Sequence, residues 1–238
     1  MGERILCYIG TYTKTTSQGV YLYEQDPHTG ELKFLNVSWA GDEPSYMAFH
    51  PNGRYLYAVS ETGEFEGQPW GQVSALSIDS QSGALTLLNQ VPAEGRSPCY
   101  VSVDGTGQFA LVANYHSGSL AVLPIRPDGR LLPKSDYVYL QPTAEETARN
   151  KEPRGHCIIL APGNRFVLAC DAGLDRIMIY QLELSRGRLV PHDPPYTQLR
   201  DKAAPRHITF HPNGRDVYAI GESSSTMFAL AWDGQRGT

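Results

Sequence analysis

An all-β fold assembled from repeated antiparallel sheets is what this chain of 238 residues predicts, on three observations. Four segments of the chain align with one another, their first residues (44, 98, 155 and 205) lying 54, 57 and 50 apart. Each segment is a hairpin, two short apolar runs around a turn that contains glycine. The composition, with 23 glycines, 17 prolines and 14 tyrosines, is turn-rich and aromatic-rich, as β structure requires.

The segments read PSYMAFHPNGRYLYAVSE at 44–61, PCYVSVDGTGQFALVANY at 98–115, GHCIILAPGNRFVLACDA at 155–172 and PRHITFHPNGRDVYAIGE at 205–222. Asn-Gly and Pro-Gly supply the backbone freedom of a tight reversal. Two further strand-like runs usually follow, such as GQVSALSID and ALTLLNQV after the first hairpin and SLAVLPI and LLPKSDYVYL after the second. Each repeat is therefore a four-stranded sheet. One such sheet cannot bury both faces alone, and stacking the sheets radially solves this, which is the architecture of a β-propeller.

The ends of the chain set the phase of the repeat. RILCYIGT aligns with the second strand of a repeat, so the first blade is expected to lack its innermost strand, and MFALAWDGQRGT supplies the third strand of a fifth blade. About five blades are represented, two of them incomplete. Residues 1–238 read as one propeller domain, incomplete at the C-terminal side.

Composition narrows the functions. A hydrophobic fraction of 41%, a mean hydropathy of −0.35 and a net charge of −5 without charge blocks give no attraction to nucleic acid or membrane. No run reaches the ~18 apolar residues of a bilayer span. The start, MGERILCYIG, does not read as a secretory signal. The four cysteines (7, 99, 157 and 170) have no metal-ligand spacing and read as buried free thiols, so a reducing cytoplasm is expected. No phosphate-loop, zinc-protease or nucleophile-elbow motif occurs, and neither a metal nor another cofactor is expected.

YIGTYT, VANYHSGSLAVLPI, GHCIILAPGNRFVLACDAGLDRIMIYQL and APRHITFHPNGRDVYAIGESSST resemble the seven-bladed lactonase family, which includes propeller-type 6-phosphogluconolactonases and fungal carboxymuconate cyclases. The resemblance covers nearly the whole chain and implies two later blades. It also implies that an insertion at 141–153 rims the mouth of the active site.

Equivalent positions across the repeats point to a site. The place after the leading Pro or Gly holds Ser45, Cys99, His156 and Arg206, near one end of the channel. The end of the second strand holds Glu61, Tyr115, Ala172 and Glu222, with Asp171 one residue earlier in the third repeat. Antiparallel pairing brings these ends together. It puts Arg206 diagonal to Glu222 and His156 opposite Asp171, so the four residues are expected round one funnel. Asn114 and Tyr115, beside His116, end a channel-side strand and are candidate pocket residues. His207 is expected on the opposite face from Arg206. His50 and His211 read as turn residues.

An Arg can hold a carboxylate or phosphate, and a His or Glu can move a proton. Equally, Arg206–Glu222 reads as a salt bridge tying a hairpin, and His156–Asp171 as a strand-end hydrogen bond. Through the cyclase branch of the lactonase family the resemblance implies catalytic roles for His156, Arg206 and Glu222 and a further Arg from a later blade, while the repeat positions make Arg206, Asp171, Asn114 and Tyr115 the candidate substrate-binding residues. The resemblance also implies hydrolysis of a small anionic sugar lactone, 6-phosphogluconolactone first, in the pentose phosphate pathway of carbohydrate metabolism. The alternatives are a lactonizing carboxymuconate cyclase, a non-catalytic binding propeller and an inactive fragment. The sequence leaves the oligomeric state open.

Overall fold

A computed structural model describes residues 4–238; Met1, Gly2 and Glu3, the first residues of the expected non-secretory start, lie outside them. Blade one contains β1 (Ile5–Ile9), β2 (Val20–Gln25) and β3 (Leu32–Ser38). Blade two contains β4 (Met47–Phe49), β5 (Tyr55–Ser60), β6 (Gln72–Ile78) and β7 (Leu85–Pro92). Blade three contains β8 (Pro98–Val103), β9 (Phe109–Asn114), β10 (Ser119–Pro124) and β11 (Asp136–Tyr139). The short helix α1 (Ala144–Ala148) precedes blade four, which contains β12 (Gly155–Leu160), β13 (Phe166–Asp171), β14 (Arg176–Glu183) and β15 (Arg188–Gln198). Blade five contains β16 (Pro205–Phe210), β17 (Asp216–Gly221) and β18 (Met227–Ala231).

All pairings within the blades are antiparallel between sequence neighbours, giving sheets of three, four, four, four and three strands. β4 packs beside β8, β8 beside β12 and β12 beside β16, so the first strands of blades two to five stand side by side around the channel. The fold is a β-propeller. Among the described residues no helix is long and apolar enough to cross a membrane.

The core lies between the sheets. Leu111, Leu120, Ile158, Val167, Ile177 and Val217 fill the spaces between blades three, four and five. Tyr57, Val73, Val101 and Val112 join blades two and three, and Val20, Leu56 and Leu76 join one and two. β5, β9 and β13 are buried along their whole length, because a neighbouring sheet covers each face. That is why they read as apolar runs rather than alternating patterns.

The hairpin turns mark the end of the channel away from the site described below. Gly53, Gly107 and Gly214 have φ of +70°, +73° and +69°, and Asn164 takes the equivalent place in blade four at +59°. Asparagine tolerates this left-handed conformation better than most residues. The two turn histidines are structural. His50 Nδ1 accepts from the Asn52 N–H (3.1 Å), so Nε2 carries the proton and donates to the Gly107 carbonyl (3.0 Å) of the next blade. His211 Nδ1 accepts from the Asn213 N–H (3.1 Å).

Candidate functional site

At the other end of the channel one backbone device recurs in four blades. The N–H of the residue just after the second strand donates to the carbonyl of the residue before the leading Pro or Gly. The pairs are Glu61 to Glu43 (3.0 Å), Tyr115 to Ser97 (2.9 Å), Ala172 to Arg154 (2.9 Å) and Glu222 to Ala204 (2.8 Å). Three of these acceptors are left-handed without being glycine, namely Glu43, Ser97 and Ala204, with φ of +52°, +54° and +44°. Such backbone outliers cluster at functional sites.

The chain then bulges. The ladder of blade three skips from Pro98 to Tyr100, that of blade four from Gly155 to Cys157, and that of blade five from Pro205 to His207. The skipped residues are Cys99, His156 and Arg206. A bulge adds one residue without a partner and re-aims the side chains around it.

These turns and bulges shape a cavity of about 530 Å³ lined by Tyr12, Tyr46, Glu61, Tyr115, His156, Arg206, His207 and Glu222, with Ser45, Cys99 and His116. Arg206 Nε lies 3.5 Å from Glu222 Oε1. His156 is 5% exposed, and its Nδ1 lies 3.8 Å from Cys99 Sγ of the preceding blade. Its ring meets those of Tyr115 and His207 edge to face, each at 5.4 Å. Tyr46 and Tyr100 stack at 4.1 Å beneath His207. Burial, and then the Arg206 charge, pull the His156 imidazole below the ordinary histidine value against the opposing pull of Glu222 and Glu61. His207 is lowered further, to about 4, by burial and then by Arg206 and His156. Both rings are therefore neutral at pH 7, the form in which histidine accepts a proton. Burial pushes the Cys99 thiol up, so it stays protonated and unreactive.

His156, Arg206, Glu222 and Tyr115 thus share one cavity. Asp171 and Asn114 do not, and the pocket roles expected of them are corrected. The bulge sets Gly155, not His156, opposite Asp171. Asp171 is fully buried and accepts from the N–H groups of Arg154, Gly173 and Leu174 at 3.0–3.2 Å, with Arg176 Nε 3.7 Å away. Asn114 is equally buried, its amide donating to the Ala93 carbonyl (2.9 Å) and to Ser119 Oγ (3.2 Å). Both brace strand ends.

His207 is corrected the other way. Strict alternation would turn it from Arg206, but the bulge lets both line the cavity. The 141–153 segment is not among the lining residues. Its helix is held over the outer strands, where Arg176 donates to the Gln141 carbonyl (2.7 Å) and lies 3.7 Å from Glu146. Tyr12 and Tyr46 were missed altogether. Glu61 carried a usable signal, since it holds the same repeat position as Glu222.

A β-propeller whose channel opens at one end into an ionisable pocket is the class that fold and cavity define. The chain belongs to the family described as Lactonase, 7-bladed beta-propeller, whose model matches residues 6–238. It is 36% identical over 227 residues to the 6-phosphogluconolactonase of Bacillus subtilis strain 168, covering 95% of this chain and 62% of that protein. It superposes with a TM-score of 0.88 on a putative 6-phosphogluconolactonase from Bacteroides fragilis, at 29% identity over 99% of this chain and 65% of that one. The periplasmic gluconolactonase PpgL of Pseudomonas aeruginosa gives the same TM-score at 30% identity, over 99% of this chain and 66% of that one. The chain therefore spans just under two thirds of the length of these relatives.

Proposed function

We propose that this chain carries the catalytic pocket of a lactonase that hydrolyses a sugar lactone, 6-phosphogluconolactone first, to the open acid. The observation that carries the reading is that His156 and Arg206 hold the same bulge position in adjacent blades and meet Glu222 in one cavity. The names of the relatives in Bacillus subtilis and Bacteroides fragilis support the substrate.

In this reading neutral His156 takes a proton from a water as its oxygen attacks the lactone carbonyl carbon. Arg206, oriented through Nε by Glu222, presents its remaining N–H groups to the developing oxyanion or to an anionic group on the substrate. The bond from the carbonyl carbon to the ring oxygen then breaks. The ring oxygen leaves with a proton returned from His156 or relayed by Glu222, so the sum is addition of one water. Tyr115 walls the pocket beside His156. No step calls on a metal or an organic cofactor. The four unpaired thiols support a cytoplasmic setting, and the names of the same relatives support a place in the pentose phosphate pathway.

Acid release from 6-phosphogluconolactone, followed by pH-stat against the spontaneous rate, tests the reading. The folded chain is expected to exceed that rate, and His156→Ala to lose at least about 100-fold of the excess. A folded chain with no rate above background overturns it. Parallel assays with carboxymuconolactone distinguish the cyclase chemistry.

A further inference from the structure

The cavity has a second wall that the hydrolysis does not use. Tyr12 is 56% exposed, yet the residues on either side of it are fastened. The Thr11 N–H donates to the Pro44 carbonyl (3.0 Å) and its hydroxyl to the Gly19 carbonyl (2.7 Å). The Thr13 N–H donates to Glu43 Oε1 (3.1 Å), and Thr13 Oγ1 accepts from the Glu43 N–H (3.0 Å). Glu43 is only 3% exposed, so a buried carboxylate is committed to holding this loop. The result is an exposed aromatic ring set at the cavity wall. Its phenol donates to Glu61 Oε2 at 2.8 Å. Burial, and then this bond, raise the phenol above its ordinary value, so it remains a donor at pH 7.

The phenol engages one oxygen of Glu61. A carboxylate offers about four acceptor positions, so capacity remains for other donors. Glu61 follows the second strand of blade two, and its counterpart Glu222 in blade five is bound to Arg206. The repeat thus places one carboxylate beside a guanidinium and the other beside a phenol. The first pair suits an anionic or oxyanionic group. The second suits hydroxyl donors and repels further carboxylates.

We propose that Tyr12 and Glu61 form a hydroxyl-recognition subsite that selects polyhydroxylated lactones. Glu61 accepts hydrogen bonds from ring or side-chain hydroxyls of the ligand, and the Tyr12 ring covers its apolar C–H face. The inference rests on the reading that the cavity takes a sugar lactone, and it adds the residues that read the hydroxyls of the sugar and so set it apart from an unsaturated polycarboxylate. Sites built to bind a hydroxyl discriminate strongly against analogues that lack it.

The test is calorimetric titration of the folded 238-residue chain with gluconolactam and with valerolactam. Both are unreactive six-membered rings, and only the first has hydroxyls. The wild-type chain is expected to bind gluconolactam at least about tenfold more tightly, as a charged hydrogen bond implies. Glu61→Gln is expected to reduce that ratio by about tenfold and Tyr12→Phe by a smaller factor, with melting temperatures unchanged. A wild-type chain with no preference, or a preference that survives Glu61→Gln intact, overturns the subsite. The lactonase assay separates this outcome from failure of the hydrolytic reading. A chain with the Glu61-dependent preference but no lactone opening loses only the hydrolysis. A chain that opens lactones with a ratio indifferent to Glu61 loses only the subsite.

Discussion

Arg206 Nε lies 3.5 Å from Glu222 Oε1, and the two side chains are 43% and 40% exposed. An ion pair so open to water contributes only about 0–1 kcal/mol to stability. Tying the hairpin is therefore a weak reason for this pair, since the Glu222 N–H already closes it through the Ala204 carbonyl. Glu222→Gln should lower stability by less than about 1 kcal/mol in urea unfolding while reducing kcat/KM by about 100-fold. A variant destabilised by several kcal/mol with its activity intact would return the pair to a structural role.

His156 titrates under the influence of its neighbours, and the direction can be checked one group at a time. Burial and the Arg206 charge lower its value, while Glu222 and Glu61 raise it. Arg206→Gln removes a cation and releases Glu222 from its partner, and both changes favour the imidazolium. The His156 ring signals in NMR should titrate below pH 6.5 in the wild type and at a higher pH in the variant. An unchanged or lower value in the variant would contradict the electrostatic account of the pocket.

The blades were legible because their signals are local. Turn glycines, apolar runs and a repeat near 50 residues all lie in short windows. Equivalent positions even pointed to His156 and Arg206. The bulges were not legible. Nothing in PCY, GHC or PRH announces an extra unpaired residue, and a single inserted residue reverses which side chains face the channel. That is why His207 was assigned to the wrong face and Asp171 was set opposite His156. Tyr12 was hidden for a different reason: its place depends on Glu43, which holds the neighbouring Thr13 from thirty positions along the chain.

Ala204 carries a φ of +44° immediately before Pro205. The left-handed region costs a residue with a β-carbon about 1–2 kcal/mol, and more if it is β-branched. Ala204→Val should therefore destabilise the chain by about 2 kcal/mol or more. Ala204→Gly should be neutral or stabilising by up to about 1 kcal/mol, its relief of strain offset by a more flexible unfolded chain. Equal losses in the two variants would show that the turn is not strained.

Asp171 makes a prediction about stability rather than binding. Its buried carboxyl serves three N–H groups and faces the equally buried Arg176. Truncation leaves those donors unpaired and takes one carboxylate from the Arg176 guanidinium, which keeps only the Gln141 carbonyl and Glu146, and losses of about 3–5 kcal/mol are typical for one half of a buried pair. Asp171→Ala should unfold at much lower urea concentration, yet its folded fraction should keep the wild-type KM. A raised KM in a stably folded variant would restore Asp171 to the pocket.

His207 links the pocket to pH-dependent stability. Burial, Arg206 and His156 hold its imidazole at about 4 in the native protein, against about 6.5 for an unfolded histidine. Between these values the unfolded chain binds a proton that the native chain does not, so this contribution to stability falls as pH falls. It is present in full above about pH 6.5 and is progressively lost toward pH 4. His207→Gln keeps a polar, uncharged side chain but lacks the titration. It also loses the ring contacts with Tyr46, Tyr100 and His156, so it should be less stable than wild type at pH 7.5. Because only the wild type weakens through this group on acidification, the gap between the two should narrow steadily from pH 6.5 to pH 4.5. Urea unfolding at several pH values measures that gap. Curves that remain parallel over this range would show that the native state does not hold the His207 value below that of the unfolded chain.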